Sequence, residues 1–236
     1  QATIAVPIER ASVMLVTDTS GSMNAADVTP DRLTAAKQAA SRFLDRVPDA
    51  LQTGLVAFAD GPHTVLRPTQ DRVQVESTLQ ALRADGGTAT GDALASALNA
   101  LGAREPDSPP AAIVLLSDGA SQTGRDPAEV AREARAANVP IYTVALGTAG
   151  GVVEAGGRIL SVPPDPEALA EVARISGGRA FAAEDADALD EVYETLGSRI
   201  GTKKEKREVS AGFAAAGLLA LVGAAAASLR WRGRLP

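Results

Sequence analysis

Apolar residues fall in short runs along the first two hundred positions, and longer amphipathic stretches separate the runs. Four runs are rich in Val, Ile and Leu: "SVMLVTD" (12–18), "TGLVAFA" (53–59), "AAIVLLSD" (111–118) and "IYTVALG" (141–147). Continuous apolar runs of this length are typical of strands buried on both faces of a parallel sheet. Weaker patterns predict a further strand over 2–8, a hairpin partner for 53–59 over 63–68, and a hairpin over 152–162 that turns at Gly156-Gly157.

Helical periodicity fills the intervals between these runs. It predicts helices over 30–46, 70–82, 91–101, 127–138, 166–176 and 185–200. Three helices have a side-chain oxygen followed by proline at their start, a pairing favoured in the first turn, at Thr29-Pro30, Asp126-Pro127 and Asp165-Pro166. Thr90 is placed to cap the helix over 91–101. The alternation of strands and helices predicts a doubly wound α/β domain, with a mostly parallel Rossmann-like sheet flanked by helices.

The end of the chain has a different character. Residues 210–229 carry no charge, and a helix of that length spans roughly 30 Å, the thickness of a bilayer core. Trp231 and three arginines follow directly, as is typical of an interfacial anchor. We therefore expect an α/β domain over 1–200, a charged juxtamembrane linker over 201–209, a transmembrane helix over 210–229 and a basic tail over 230–236. The alternative for 210–229 is a buried, Ala-rich core helix.

Composition narrows the classes of function. The chain has 236 residues, a formal net charge of −6 and no cysteine. The absence of cysteine excludes disulfides, zinc–thiolate sites and cysteine nucleophiles. A group of basic residues near the C-terminus lies after the predicted domain. The domain itself is therefore more acidic than the chain as a whole. An acidic domain repels phosphate, so we expect no nucleic-acid partner.

Oxygen-bearing side chains gather where two predicted strands end. Asp18 ends the first strand and Asp118 ends the third, while Thr88 lies in the loop "DGGTATGD" before a helix. Ligands of doubly wound sheets bind at the carboxyl ends of the strands, so these loops are expected to converge. Carboxylates and hydroxyls are hard oxygen donors of the kind that Mg²⁺ prefers. The pattern predicts a metal site formed by Asp18, Ser20, Ser22, Thr88 and Asp118. Three of the five donors are neutral, so the ion would keep positive charge for an external carboxylate.

These residues resemble a known adhesion motif. Asp18-Thr19-Ser20-Gly21-Ser22 resembles the DxSxS motif of von Willebrand factor A (VWA) domains, and Thr88 and Asp118 resemble the later threonine and aspartate of the metal-ion-dependent adhesion site (MIDAS). The segments "SGSMNAADVTPDRLTAAKQ", "GGTATGDAL", "LLSDG" and "ISGGRAF", together with the apolar C-terminal segment, are similar to those of bacterial membrane-anchored VWA proteins of the aerotolerance (Bat) type.

The resemblance carries expectations about function. It implies a Rossmann-like VWA fold, a divalent cation (Mg²⁺ or Mn²⁺) and protein binding rather than catalysis, so we expect the protein not to be an enzyme. It implies a protein partner that offers an Asp or Glu to the metal. It further implies a membrane location with the VWA head outside the cytoplasm, and assembly with other membrane VWA proteins and a MoxR-type AAA+ ATPase.

Two alternative functions are left open. One is a Mg²⁺-dependent phosphohydrolase of the haloacid-dehalogenase type with Asp18 as nucleophile. Such enzymes need a second acid two positions later for proton transfer, where this chain has Ser20. The other is a scaffold whose metal site is vestigial. Among nearby polar residues, we predict that His63 lies on the surface, that Asp27 has a local turn role, and that Asp60 and Asp85 are solvated.

Overall fold

The chain divides into two compact units. The computed structural model describes residues 2–7, 11–102, 108–119, 121–183 and 202–207. One unit comprises Gln1–Pro7 and Thr202–Pro236, and the other comprises Ile8–Gly201. In the first unit, strand β1 (Ala2–Pro7) pairs antiparallel with strand β10 (Thr202–Arg207). The strand predicted over 2–8 is present, and the charged segment expected to be a linker contributes a strand of its own.

The second unit contains a six-stranded, mostly parallel sheet. Its strands are β2 (Ser12–Asp18), β3 (Gln52–Phe58), β4 (Pro62–Thr69), β5 (Ala111–Ser117), β6 (Ile141–Leu146) and β9 (Ala180–Ala183). The spatial order is β4-β3-β2-β5-β6-β9, and only β4 runs antiparallel to its neighbour. Strands β7 (Val152–Ala155) and β8 (Arg158–Ser161) form a separate hairpin. The doubly wound α/β fold and both predicted hairpins are confirmed.

Among the residues of this unit that the structure describes, five helices connect the strands. They are α1 (Arg32–Arg46), α2 (Arg72–Ala81), α3 (Thr90–Leu101), α4 (Pro127–Ala136) and α5 (Pro166–Ser176), and a 3₁₀ turn spans Gly21–Asn24. Asp126 and Asp165 cap α4 and α5 as predicted, each accepting a hydrogen bond from a backbone N–H of the first turn.

Two predicted helix starts are wrong. Helix α1 begins after Asp31, whose carboxylate accepts the N–H of Thr34, so Thr29-Pro30 lies before the helix. A carboxylate is a stronger acceptor than a hydroxyl for the first amides of a helix, which explains the shift. Helix α3 includes Thr90, and its N-cap position is held by Ala89 without a side-chain bond.

The core lies on both faces of the sheet. Along β2, Val13 and Leu15 pack in one apolar cluster with α1, while Met14 and Val16 pack in the opposite cluster with α3, α4 and α5. Successive side chains of a strand point to opposite faces, so a strand covered on both sides must be apolar throughout. This explains the continuous apolar runs in the sequence.

Part of the predicted tail lies outside the described residues. This applies to the transmembrane helix over 210–229, the basic tail over 230–236 and the helix over 185–200. Among the residues that the structure does describe, every helix is too short or too polar to cross a bilayer.

Candidate metal centre

The candidate site lies at the carboxyl edge of the sheet, where the strand order reverses. From β2 the chain continues to β3 on one side, then returns to place β5 on the other side. Asp18 ends β2, and Asp118 directly follows β5. This is the topological switch point at which doubly wound sheets bind ligands. The structure therefore places both predicted carboxylates at the carboxyl ends of two adjacent central strands.

The first loop gathers three of the predicted donors. Oδ1 of Asp18 accepts a hydrogen bond from the N–H of Ser20 at 2.8 Å. The hydroxyls of Ser20 and Ser22 lie 3.0 Å apart. Ser22 reaches this position because the chain enters the 3₁₀ turn Gly21–Asn24 directly after the strand. Asp18 and Ser20 are buried, while Ser22 is half-buried.

The loop after β5 joins the first loop through a buried hydroxyl. Ser117 Oγ donates to Oδ2 of Asp18 at 2.5 Å and accepts the N–H of Gly119 at 3.0 Å. Burial, and then the negative charge of nearby Asp118, raise the pKa of Asp18 from 3.8 to about 7, although the bonds from Ser117 and Ser20 oppose the rise. The buried carboxylates of Asp18 and Asp118 are close enough to repel one another, and a cation between them would relieve the repulsion.

The third loop places Thr88 through backbone bonds. Asp85 N–H donates to the carbonyl of Thr19, and Gly21 N–H donates to the carbonyl of Gly86. On the other side, the carbonyl of Thr88 accepts the N–H of Gln122 at 2.8 Å. Thr88 itself is buried. All three loops are therefore tied together, and all five predicted site residues belong to them.

Sequence reasoning missed a buried ion-pair network behind Asp118. Arg32 is fully buried, and its Nη1 donates to Oδ2 of Asp118 at 3.1 Å. Asp27 accepts from Nε and Nη2 of Arg32 at 2.8 Å each, and from the N–H of Thr148 at 2.6 Å. Burial alone would raise the pKa of Asp27, but the bonds from Arg32 and Thr148 outweigh it and lower the pKa to about 2.

The predicted local turn role of Asp27 is therefore wrong, because its partner Thr148 is far along the chain. A signal for this network was present in the sequence. Arg32 falls on the same helical face as Ala36, Ala39 and Phe43, which form the buried side of α1. An arginine at helical spacing on an apolar face indicates a buried partner carboxylate, since an unpaired buried charge is very costly.

Other polar residues support the loops. His63 is exposed, as predicted, but its Nε2 lies 2.9 Å from the hydroxyl of Thr19, which donates to the carbonyl of Phe58. Asp60 is also exposed and accepts the N–H of Gly87 at 2.9 Å, so it shapes the glycine loop as well as meeting solvent.

The donor set fits a small divalent cation that retains several waters. In the described part of the chain, no three His, Cys, Asp or Glu side chains converge on one point. The candidate set therefore depends on two carboxylates and on hydroxyls. Both oxygens of Asp18 accept hydrogen bonds, and Oδ2 of Asp118 accepts one from Arg32. This arrangement suits direct ligation by hydroxyls and bridging of the carboxylates through water, which Mg²⁺ tolerates well.

The chain has relatives in sequence and in fold. A family model described as the von Willebrand factor type A domain matches residues 13–121. A UPF0353 protein of Mycolicibacterium paratuberculosis is 38% identical over 247 residues, covering 99% of this chain and 73% of that protein.

Several solved structures share the fold. An aerotolerance-related membrane protein from Bacteroides fragilis has a TM-score of 0.71 at 22% identity, covering 80% of this chain and 98% of that one. Proximal thread matrix protein 1 from the mussel byssus, with a zinc-occupied MIDAS motif, has a TM-score of 0.64 at 21% identity, covering 87% of this chain and 50% of that one. The 38% identity to a UPF0353 protein across almost the whole chain shows that this chain belongs to the UPF0353 family, and residues 13–121 match the von Willebrand factor type A domain.

Proposed function

We propose that this protein is a metal-dependent protein-binding module rather than an enzyme. Asp18, Ser20, Ser22, Thr88 and Asp118 would hold a divalent cation, Mg²⁺ or Mn²⁺, and a partner would complete its coordination. The observation that carries the proposal is the meeting of Asp18 with the Ser20 and Ser22 hydroxyls beside Asp118 at the switch point. The zinc-occupied MIDAS of the mussel protein supports a metal at the equivalent edge of this fold.

The chemistry of the donors favours a carboxylate from the partner. Neutral hydroxyls leave the charge of the ion largely unbalanced, and the Asp18 and Asp118 carboxylates are already partly satisfied by hydrogen bonds. A hard, undercompensated cation prefers an anionic oxygen ligand. An Asp or Glu side chain of a protein partner supplies that ligand without a chemical reaction.

The cellular setting belongs to the same proposal. Residues 210–229 would anchor the protein in a membrane, with the VWA head outside the cytoplasm. The structural relative from Bacteroides fragilis is described as an aerotolerance-related membrane protein, which supports this location. Other membrane VWA proteins and a MoxR-type AAA+ ATPase are the partners that the resemblance favours.

Calorimetric titration of the full chain with Mg²⁺ and Mn²⁺ tests the metal site. Wild type is expected to bind one ion, and Asp18→Ala is expected to lose binding. The matched control is Asp45→Ala, which removes an exposed aspartate from the end of α1. Absence of binding by wild type, or equal binding by Asp18→Ala, would refute the proposed site.

Proton relaxation of water in the presence of bound Mn²⁺ tests whether an external carboxylate binds to the ion. Water protons that exchange with the ion relax faster, and a carboxylate that replaces water reduces this effect. Addition of acetate is therefore expected to lower the relaxation enhancement of the Mn²⁺-loaded protein, whereas an equal concentration of chloride is not.

A pull-down tests the proposed contact with the ATPase. If this protein still captures the ATPase after chelation and after Asp118→Ala, a metal-bridged contact is excluded.

A further inference from the structure

A single buried guanidinium connects three separate segments of the chain behind the metal site. Arg32 opens α1 and is fully buried. Its Nη1 donates to Oδ2 of Asp118 at 3.1 Å, its Nε and Nη2 grip Asp27, and Nη2 also donates to the carbonyl of Val162 at 2.9 Å. A planar guanidinium held by a bidentate carboxylate has one fixed orientation. The direction of Nη1 towards Asp118 is therefore set by Asp27.

Glycines enclose the guanidinium on the side of the loop that follows β6. A Cβ at Gly147, where φ is +108°, would meet the guanidinium of Arg32. A Cβ at Gly151 would meet Nη2 of Arg32 and come within 2.7 Å of Oδ2 of Asp27. Thr148 lies between them and donates its N–H to Asp27. The loop is thus shaped to leave room for Arg32 and to hold Asp27 in place.

The same contacts reach the β7–β8 hairpin. Val162, which accepts from Arg32, directly follows the hairpin and donates its N–H to the carbonyl of Gly151, which directly precedes it. A second connection runs from Asp165 N–H to the carbonyl of Asp118 at 2.6 Å. The base of the hairpin is therefore tied to Asp118 along two routes.

We propose that Arg32 is a positioning residue of the metal site, which fixes the carboxylate of Asp118 and couples metal binding to the β7–β8 hairpin. The inference rests on the proposed function, since it takes Asp118 as a metal ligand. Arg32 is fully buried and cationic, so it would neither ligate the ion nor contact a partner. It holds one oxygen of Asp118, so that the carboxylate presents a defined face to the ion. Loss of a residue that hydrogen-bonds to a metal ligand typically weakens metal affinity by about 10–100-fold.

One pair of neighbouring glycines provides the test. Gly151→Ala introduces a methyl group against the guanidinium without changing any charge, and neither Gly150 nor Gly151 has a positive φ. Gly150→Ala is the matched control, because its Cβ has no neighbour closer than Thr148 Oγ1 at 3.9 Å. In the full chain, Mg²⁺ affinity measured by calorimetry is expected to fall about tenfold in Gly151→Ala and less than twofold in Gly150→Ala. The melting temperature in EDTA reports whether each variant is folded.

A double-mutant cycle separates positioning from a general loop defect. Arg32→Lys keeps the charge but loses the bidentate hydrogen bonds to the carboxylate of Asp27. If Gly151→Ala acts through the guanidinium, adding it to Arg32→Lys should weaken Mg²⁺ binding by far less than tenfold. Hydrogen exchange gives the coupling directly, because Mg²⁺ should slow amide exchange over 148–162 in wild type and Gly150→Ala but not in Gly151→Ala.

The outcomes distinguish this inference from the proposed function. Equal Mg²⁺ affinity in Gly151→Ala and wild type overturns the role of Arg32 and leaves the metal site standing. Equal losses in Gly150→Ala and Gly151→Ala, or additive losses in the cycle, overturn it in favour of general loop damage. Wild type that binds no Mg²⁺ refutes both the metal site and the positioning of its ligand.

Discussion

Replacing Asp18 by Asn should stabilise the metal-free protein, although Asp18 is buried and hydrogen-bonded. In the variant, Oδ1 of the amide can still accept from the N–H of Ser20, and the amide N–H can donate to Ser117 Oγ, which reverses the direction of the wild-type bond. Ser117 Oγ already accepts the N–H of Gly119 and has a second lone pair for the amide. The substitution therefore removes one buried charge and keeps residue 18 bonded to both neighbours, although the Ser117 O–H no longer has the carboxylate as its acceptor.

The magnitude follows from the pKa of the carboxyl group. Its pKa is 3.8 in the unfolded chain and about 7 in the folded protein, because burial and Asp118 favour the neutral form. At low pH the carboxyl is protonated in both states and costs nothing. As pH rises from 3.8 to 7, the unfolded chain loses the proton first, so wild type loses about 1.4 kcal/mol per pH unit, or about 4 kcal/mol in all. Asn has no such loss.

Urea unfolding in EDTA measures the difference. The stability gap in favour of Asp18→Asn should be about 2 kcal/mol larger at pH 8 than at pH 5.5. Saturating Mg²⁺ should reverse the order, since only wild type binds the ion strongly. A gap that does not change with pH, or an Asn variant less stable than wild type at pH 8, would refute the reasoning. Asp45→Asn removes a carboxylate from an exposed position, serves as the control and should not stabilise the metal-free protein.

Three further substitutions test the scaffold. Phe43→Ala, in the apolar cluster beneath α1, should lower the free energy of unfolding by about 3–5 kcal/mol in urea while leaving the Mg²⁺ affinity of the folded protein unchanged. Asp126→Ala removes the side-chain acceptor at the start of α4 and should cost about 1 kcal/mol in the same assay. Gly91→Ala would drive a Cβ into the carbonyl of Arg125 and should markedly lower the melting temperature, whereas Gly61→Ala, with open space around its Cβ, should not.

Local signals were enough to predict most of the second unit. The apolar runs predicted β2, β3, β5 and β6 because each strand is covered on both faces, which leaves no room for polar positions. Strand β9 escaped prediction. Its four residues, Ala180–Ala183, are mostly alanine, and they extend the sheet only because β6 offers an edge beside them. Pairing to an existing edge is a tertiary effect that a short window cannot contain.

The site shows the same division between local and long-range causes. Asp18, Ser20 and Ser22 follow one another in sequence, so a strand followed by a tight turn was enough to predict their meeting. Arg32 and Asp27 depend on Thr148 and Val162, which lie more than a hundred residues away. Their role follows from how the loop after β6 folds back, and the pattern around Asp27 alone indicated only a turn.

The edge strand β4 constrains how this protein can associate with others. A strand at the border of a sheet normally offers a row of free amides to any extended chain, which is the first step of sheet-to-sheet aggregation. Here Pro62 and Pro68 lie within β4 and have no N–H to donate, and Arg67 between them is exposed. A strand added at this edge would receive no hydrogen bond from either proline and would lie beside the charge of Arg67. Partners at this border would have to recognise side chains, because the backbone cannot offer a continuous row of hydrogen bonds to a growing β-assembly.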